Sequence, residues 1–554
     1  MKSIFSALLS LSASAFAFTA SAQINWIFDS ERYNSTVNWS QSFGTAGESD
    51  SGYWYYLDDD GSTRHYIAGG TISSSDSITV DSTLSKNNIL IRLDTDVSLA
   101  NINILGYKNV NLEGTVNTNK LTVSGTITNE NKNTNGINFN QVDLSAESIY
   151  AVGSNIFSNN LYRVHLNSFT DKDGTNRRYN VAANGSVMER AAAGTDTFEN
   201  GIANPDIYIG YVSCDGVFFN NISNQSTDLY YEFGGLNGTC GIISNATNSN
   251  YTTNVILSNT NVDTAYTAKY GMREYNGGPN SIITSIQKIR LVMKGTDGAI
   301  QNFQCPEWTD CQMLISGGVT MMSGTLRINF NQKVSSYTYK TDANTRVYWT
   351  VADNASAART TFSHGDLIMQ GGDFGSYVDS SSFSYGSFRF TNIRYSGGTI
   401  TLRLDGADRM DSIDLTSYYK ATAEITDATG NVNTETLGNV VYEKVDGGTI
   451  TREEGAGKIT FNFTGDLLWL VDYEADGKQG VRVIAWDAAP DALTADDFTA
   501  NAFTSGDDYI AKFALYDDGL YVYYTAVPEP AELAALFGLL ALGFAAWRRR
   551  RAGR

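Results

Sequence analysis

From Ile67 to about Phe330, apolar residues alternate with polar ones in short runs, each closed by Asn, Gly, Ser or Asp. The runs at 87–94 (NNILIRLD), 98–106 (SLANINILG), 109–116 (NVNLEGTV) and 120–127 (KLTVSGTI) have a period of two, which sends successive side chains to opposite faces and predicts strands separated by turns. Leu112-Glu113-Gly114-Thr115-Val116 is similar to Val123-Ser124-Gly125-Thr126-Ile127, with Leu112 aligning on Val123, and a Gly-Gly-Thr-Ile turn recurs at 69–72, 397–400 and 447–450. Strands this short bury an apolar face only by stacking on like neighbours. The pattern therefore predicts an all-β body, a right-handed parallel β-solenoid of the β-helix kind. An antiparallel sandwich would give the same alternation.

Helical periodicity is confined to the two ends and a brief stretch at 187–193, inside a polar insertion at 171–204. After about Leu404 the apolar runs lengthen, as in GKITFNFTGDLLWLVDYEA at 457–475, and an acidic stretch follows at 487–508. These shifts divide the chain into an N-terminal leader (1–22), an aromatic-rich cap (23–64), the solenoid (65–404), a C-terminal β-rich unit (405–526) and a terminal segment (527–554). The fold expected is all-β with a single C-terminal apolar helix in the terminal segment.

Composition narrows the class. Of 554 residues 42% are hydrophobic and 18% charged, too much apolar surface for a disordered chain. Six prolines exclude collagen-like and Pro-rich linker architectures. A net charge of −20, with no basic block inside the body, repels phosphate backbones and excludes nucleic acid as a partner.

Residues 1–22 read MKSIFSALLSLSASAFAFTASA, a lysine and a short apolar run ending in Ala20-Ser21-Ala22 before Gln23. This is the layout of a secretory signal, cut by signal peptidase after Ala22, and it implies an oxidising compartment. At the other end Val527-Pro528-Glu529-Pro530 precedes an apolar stretch and then Arg548, Arg549, Arg550 and Arg551. The stretch from Leu533 to Trp547 spans about 22 Å as a helix against a hydrocarbon core of about 30 Å, a marginal anchor with the arginines on the cytoplasmic side. In its three ordered parts this end resembles the PEP-CTERM sorting signal of bacterial exported proteins. The resemblance implies transient membrane association through the C-terminal helix, recognition by an exosortase-type membrane protease, cleavage near Pro528 to Pro530, and delivery to the cell surface or an exopolysaccharide matrix. Exopolysaccharide is then a candidate partner. The patterning at Gly365-Asp366-Leu367-Ile368-Met369-Gln370-Gly371-Gly372 is similar to the passenger regions of autotransporter-type adhesins.

The search for chemistry yields few candidates. Cys214, Cys240, Cys305 and Cys311 allow three disulfide pairings, of which the nearest-neighbour one is preferred, and no histidine stands at a spacing that would make them a metal site. His65, His165 and His364 each stand alone, so no nucleophile–base order emerges. Asp58-Asp59-Asp60-Gly61 and Asp171-Lys172-Asp173-Gly174 match part of a calcium loop but lack its closing glutamate, which leaves weak calcium binding as the one cofactor expectation beside ordinary Asp-Gly turns. Trp26, Trp39 and Trp54, with Tyr53, Tyr55 and Tyr56, either close the open end of a solenoid or stack on sugars. The leading expectation is a non-enzymatic, adhesin-like surface or matrix protein. A secreted polysaccharide lyase or glycosidase, needing paired carboxylates on one face, and a glycan-binding module are the alternatives.

Overall fold

The computed structural model describes residues 23–552 apart from short segments, of which 184–206, 275–287 and 424–440 are the longest. Among the described residues the structure is mostly β, the sheets are mostly parallel, and one α-helix, Pro530–Ala552, follows the last strand. The chain divides into two compact units at Asp173/Gly174.

In the first unit two sheets alternate along the sequence. One contains Ser77–Asp81, Val97–Leu99, Ile102–Leu105, Lys120–Asn129, Asp143–Ala151 and Arg163–Asp171; the other contains Val37–Asn38, Ile89–Leu93, Val110–Gly114, Ile137–Asn140 and Ile156–Leu161. Register sets Ile78 beside Ile102, Ile102 beside Ile127 and Ile127 beside Ile149, all in parallel. In the second sheet Ile89, Val110, Ile137 and Ile156 form the corresponding column. Side-chain hydrogen bonds between neighbouring rungs mark the interval: Asn101 reaches Ser77 across 24 positions, Thr126 reaches Asn101 across 25, and Ser148 reaches Thr126 across 22. The period of two does the sorting: Ile89, Ile91 and Leu93 are no more than 1% exposed while Arg92 between them faces solvent. Each aliphatic side chain so buried stabilises the fold by about 1.5–3 kcal/mol.

The N-terminal segment closes this stack with a change of strand direction. Asn25–Phe28 pairs in parallel with Ser77–Asp81 but antiparallel with Trp54–Leu57, which pairs antiparallel with Arg64–Tyr66. Asp76 ties it down: its carboxylate accepts the Ile24 N–H at 3.0 Å and the Trp26 indole N–H at 3.1 Å. The break expected at 64/65 falls inside Arg64–Tyr66.

The second unit repeats the scheme with longer intervals. Val255, Leu291, Val319, Leu367 and Ile393 form one buried column, and Leu257, Met293, Met321, Met369 and Tyr395 another. A second run of parallel pairs links Ile300–Gln304, Thr325–Asn329, Asp373–Ser376, Thr399–Gly406, Ile459–Thr464 and Phe498–Ala500. Val319 and its partner Leu367 are far apart in sequence because the antiparallel hairpin of Ser336–Thr341 and Val347–Ala352 lies between them. The hairpin of Tyr418–Ala423 and Val441–Val445 likewise separates Ile393 from Ile450. The boundary expected at 404/405 falls inside Thr399–Gly406, whose parallel register continues into Ile459–Thr464. The long apolar run at 457–475 is the rung Ile459–Thr464 followed by a 3-10 turn at Leu468–Leu470 and the short strand Glu474–Ala475. The unit ends antiparallel: Val481–Ala485 pairs with Gly519–Ala526, and that strand pairs with Tyr509–Tyr516.

Among the described residues no helix is long and apolar enough to cross a membrane. The anchor expected at the C-terminus is corrected accordingly. Pro530–Ala552 has 23 residues, but its uncharged run lies between Glu532 and Arg548 and falls short of the roughly 30 Å a span needs.

Candidate functional site

The three tryptophans are interior groups. Trp26, Trp39 and Trp54 are 8%, 6% and 0% exposed. Trp54 packs edge-on against Phe28 and Trp39 with ring centroids 5.1 and 5.5 Å away. Its indole N–H donates to the Ser42 hydroxyl at 2.8 Å, and that hydroxyl donates to the Trp39 carbonyl at 2.6 Å. Rings closed off in this way cannot stack on a sugar, so the glycan-stacking expectation for these three residues is corrected in favour of an aromatic cap. Tyr56, 36% exposed, lies flat against the His65 imidazole at 4.9 Å.

The Asp58–Gly61 segment is a turn whose carboxylates point at their own backbone. Asp60 Oδ1 accepts the Ser62 N–H at 2.7 Å and the Ser62 hydroxyl at 2.6 Å, and Asp58 Oδ1 accepts the Thr63 N–H at 3.1 Å. Hydrogen bonding to Asp58, and then to Ser62, holds the Asp60 carboxyl well below the usual range. Among the described residues no group of three or more His, Cys, Asp or Glu side chains is placed to hold a metal ion. His165 stands exposed on its strand. Ala20, Ala22, Cys214, Cys240, Cys305, Cys311, His364 and the 172–176 part of the second Asp-Gly segment lie outside the described residues, as do Val527, Pro528 and Glu529.

Three ionic clusters escaped the sequence reading. In the first, Asp405 accepts the Tyr385 hydroxyl at 2.5 Å and the Asp466 N–H at 2.9 Å and pairs with Arg403 at 2.5 Å, while Arg409 donates to the Tyr385 oxygen at 3.2 Å. Burial raises the Asp405 pKa, but the Tyr385 and Asp466 hydrogen bonds and the Arg403 charge outweigh it and leave the carboxyl below its usual range. A carboxylate held ionised with both oxygens engaged fixes a turn; it is not poised to deliver a proton. The second cluster joins Arg389, Asp414 and Thr416. In the third, Lys478 and Arg482 converge on Asp518 at 2.6 and 3.2 Å, with the Tyr521 hydroxyl donating to the same carboxylate at 3.0 Å. Asp405 and Asp466 are 61 positions apart, so no local motif announces the first cluster.

The strongest departure from ordinary surface chemistry is the C-terminal helix. Phe537, Leu539, Leu540, Leu542, Phe544 and Trp547 are between 51% and 71% exposed. Pro530 is the first helical residue, where a missing N–H costs nothing. Arg549, Arg550 and Arg551 occupy the last turn, where cations complement the helix dipole, and the Arg551 guanidinium lies over the Trp547 ring at 4.6 Å. Gln23 is held at the opposite end of the described chain: its amide donates to the Ser77 hydroxyl at 2.8 Å.

No protein-family model matches the chain, and neither a curated protein nor a solved structure matches it.

Proposed function

We propose that the chain is an exported, non-enzymatic surface or matrix protein whose body is a right-handed parallel β-solenoid and whose terminal segment, 527–554, forms a PEP-CTERM-like sorting signal. The observation that carries the reading is the helix that begins at Pro530: six large apolar side chains exposed to solvent, then four arginines, directly behind Val527-Pro528-Glu529. A helix too short to anchor and too apolar to leave in water suits a segment that is presented to a membrane protease of the exosortase type and then removed.

The solenoid reading is supported by parallel rungs that recur at similar intervals in the first unit and alternate between two sheets. Parallel strands joined by crossovers are right-handed in nearly all proteins. The function is presentation of a regularly ruled surface for adhesion or matrix packing. Its acidic side chains keep that surface soluble.

Intact-mass measurement on the surface-extracted protein tests the targeting. The expected form begins at Gln23 and ends close to Pro530. Recovery of a surface form still carrying Arg554 overturns the sorting assignment.

A further inference from the structure

Three turns of the first unit lead from one sheet into the other and stack at a single corner. They lie at 82–88, 106–109 and 130–133. The Lys108 N–H donates to Ser82 Oγ at 2.9 Å and the Lys132 N–H to the Gly106 carbonyl at 2.8 Å. The Asn131 side-chain amide donates to the Lys108 carbonyl at 2.6 Å, and that of Asn133 to the Tyr107 carbonyl at 2.8 Å. Successive turns therefore stand one strand spacing apart, about 4.8 Å.

Each turn brings a lysine to this corner: Lys86, Lys108 and Lys132. Lys86 and Lys132 are exposed and Lys108 is half-buried. They are three of the five lysines between residues 23 and 173, in a chain whose net charge is −20. Among the described residues none of the three ends on a carboxylate; Lys132 lies over the Tyr107 ring at 5.7 Å. Tyr107 is 54% exposed, Leu84 is 61% exposed, and Asn87 and Asn88 present their amides nearby. Of the two acidic residues here, Asp81 accepts the Thr83 N–H of its own turn at 2.9 Å, and Glu130 is exposed. The turn on the other side of Ile89–Leu93 carries Asp94 and Asp96 instead.

We propose that Lys86, Lys108, Lys132 and Tyr107 form a binding stripe for an acidic polysaccharide, a polyuronate running along the corner. The proposal rests on the matrix reading above and names its ligand. Cations carried on successive stacked turns suit a linear polymer with carboxylates at short intervals, while the phenol ring and amides suit sugar faces and hydroxyls. The acidity of the whole chain selects among polyanions. With a Debye length of about 8 Å at physiological salt, a thin polymer lying on the stripe feels mainly the lysines. A duplex or a lipid surface is broad enough to meet the surrounding carboxylates as well.

The experiment measures binding of the secreted chain to polygalacturonate, with neutral dextran, duplex DNA and anionic phosphatidylglycerol vesicles in parallel. The expected result is polygalacturonate binding that disappears at high salt. Combined Lys86→Gln, Lys108→Gln and Lys132→Gln should weaken it about tenfold or more with an unchanged melting curve. Lys120→Gln should not affect it, because Lys120 lies at the turn beside Asp96. Absence of polygalacturonate binding overturns the proposal, as does a triple variant that binds like the parent, or DNA or vesicles binding as tightly. A correctly processed surface form that ignores polygalacturonate removes the stripe alone, whereas a surface form retaining Arg554 removes the sorting assignment alone.

Discussion

Replacing Trp54 by alanine should unfold the N-terminal cap without touching any ligand. The indole is 0% exposed, so about 200 Å² of buried surface at about 25 cal/mol per Å² is lost, roughly 5 kcal/mol. That agrees with the ~3–5 kcal/mol cost of large aromatic-to-alanine changes in cores. Trp54→Phe keeps most of the ring contacts with Phe28 and Trp39. It loses the hydrogen bond to Ser42, itself 0% exposed, so about 2 kcal/mol is expected from the smaller ring and the missing donor. For a unit of this size each kcal/mol moves the melting temperature by about 2–4 °C, which places the alanine variant roughly 10–20 °C below the parent and phenylalanine in between. Differential scanning calorimetry, with urea unfolding followed by tryptophan fluorescence, measures both. An alanine variant within about 1 kcal/mol of the parent, or a phenylalanine variant as damaged as alanine, would refute the cap argument.

Gly106→Ala should cost about 2–3 kcal/mol, because Gly106 has φ +101° and an added Cβ would stand 2.5 Å from the Thr83 nitrogen; urea midpoints check it. Asp414 is pushed up by burial but held lower overall by Thr416 and Arg389. Its contribution to stability is therefore present above the ordinary carboxylate pKa of about 4 and lost as pH falls through the lower folded value. Asp414→Asn should thus destabilise at neutral pH and flatten the fall in urea midpoint on acidification, and a variant as acid-sensitive as the parent contradicts this. Deleting 527–554 should leave the melting temperature of the body within about 1 °C, since the described side chains of the helix are exposed; calorimetry of the shortened chain checks it.

The strands were legible because burial follows the period of two so closely. Ile89, Ile91 and Leu93 point inward while Arg92 does not, and nothing but alternation is needed to read them. The rung interval was much harder to see. The likeness between 112–116 and 123–127 joins strands in different sheets, Val110–Gly114 and Lys120–Asn129. It therefore marks only part of the interval at which Ile102 meets Ile127. In the second unit the interval is stretched by inserted hairpins, and a fixed-period search fails there. The tryptophans were ambiguous for a different reason: an indole packed in a cap and one presented to a sugar have the same neighbours in sequence, and only Ser42 and Phe28, distant along the chain, decide between them. Asp405, Tyr385 and Asp466 could not be grouped at all, because they meet only once successive rungs are stacked.

The antiparallel hairpin that ends the second unit has a consequence for crowding. A sheet left open would offer its last strand as a template for any identical chain. At the end of one sheet Val481–Ala485 is covered by Gly519–Ala526 running the opposite way, and the outermost strand, Tyr509–Tyr516, exposes Lys512 along its middle. A lysine on the edge is a deterrent to strand addition. That edge is thereby a poor template for pairing with the strand of a second copy.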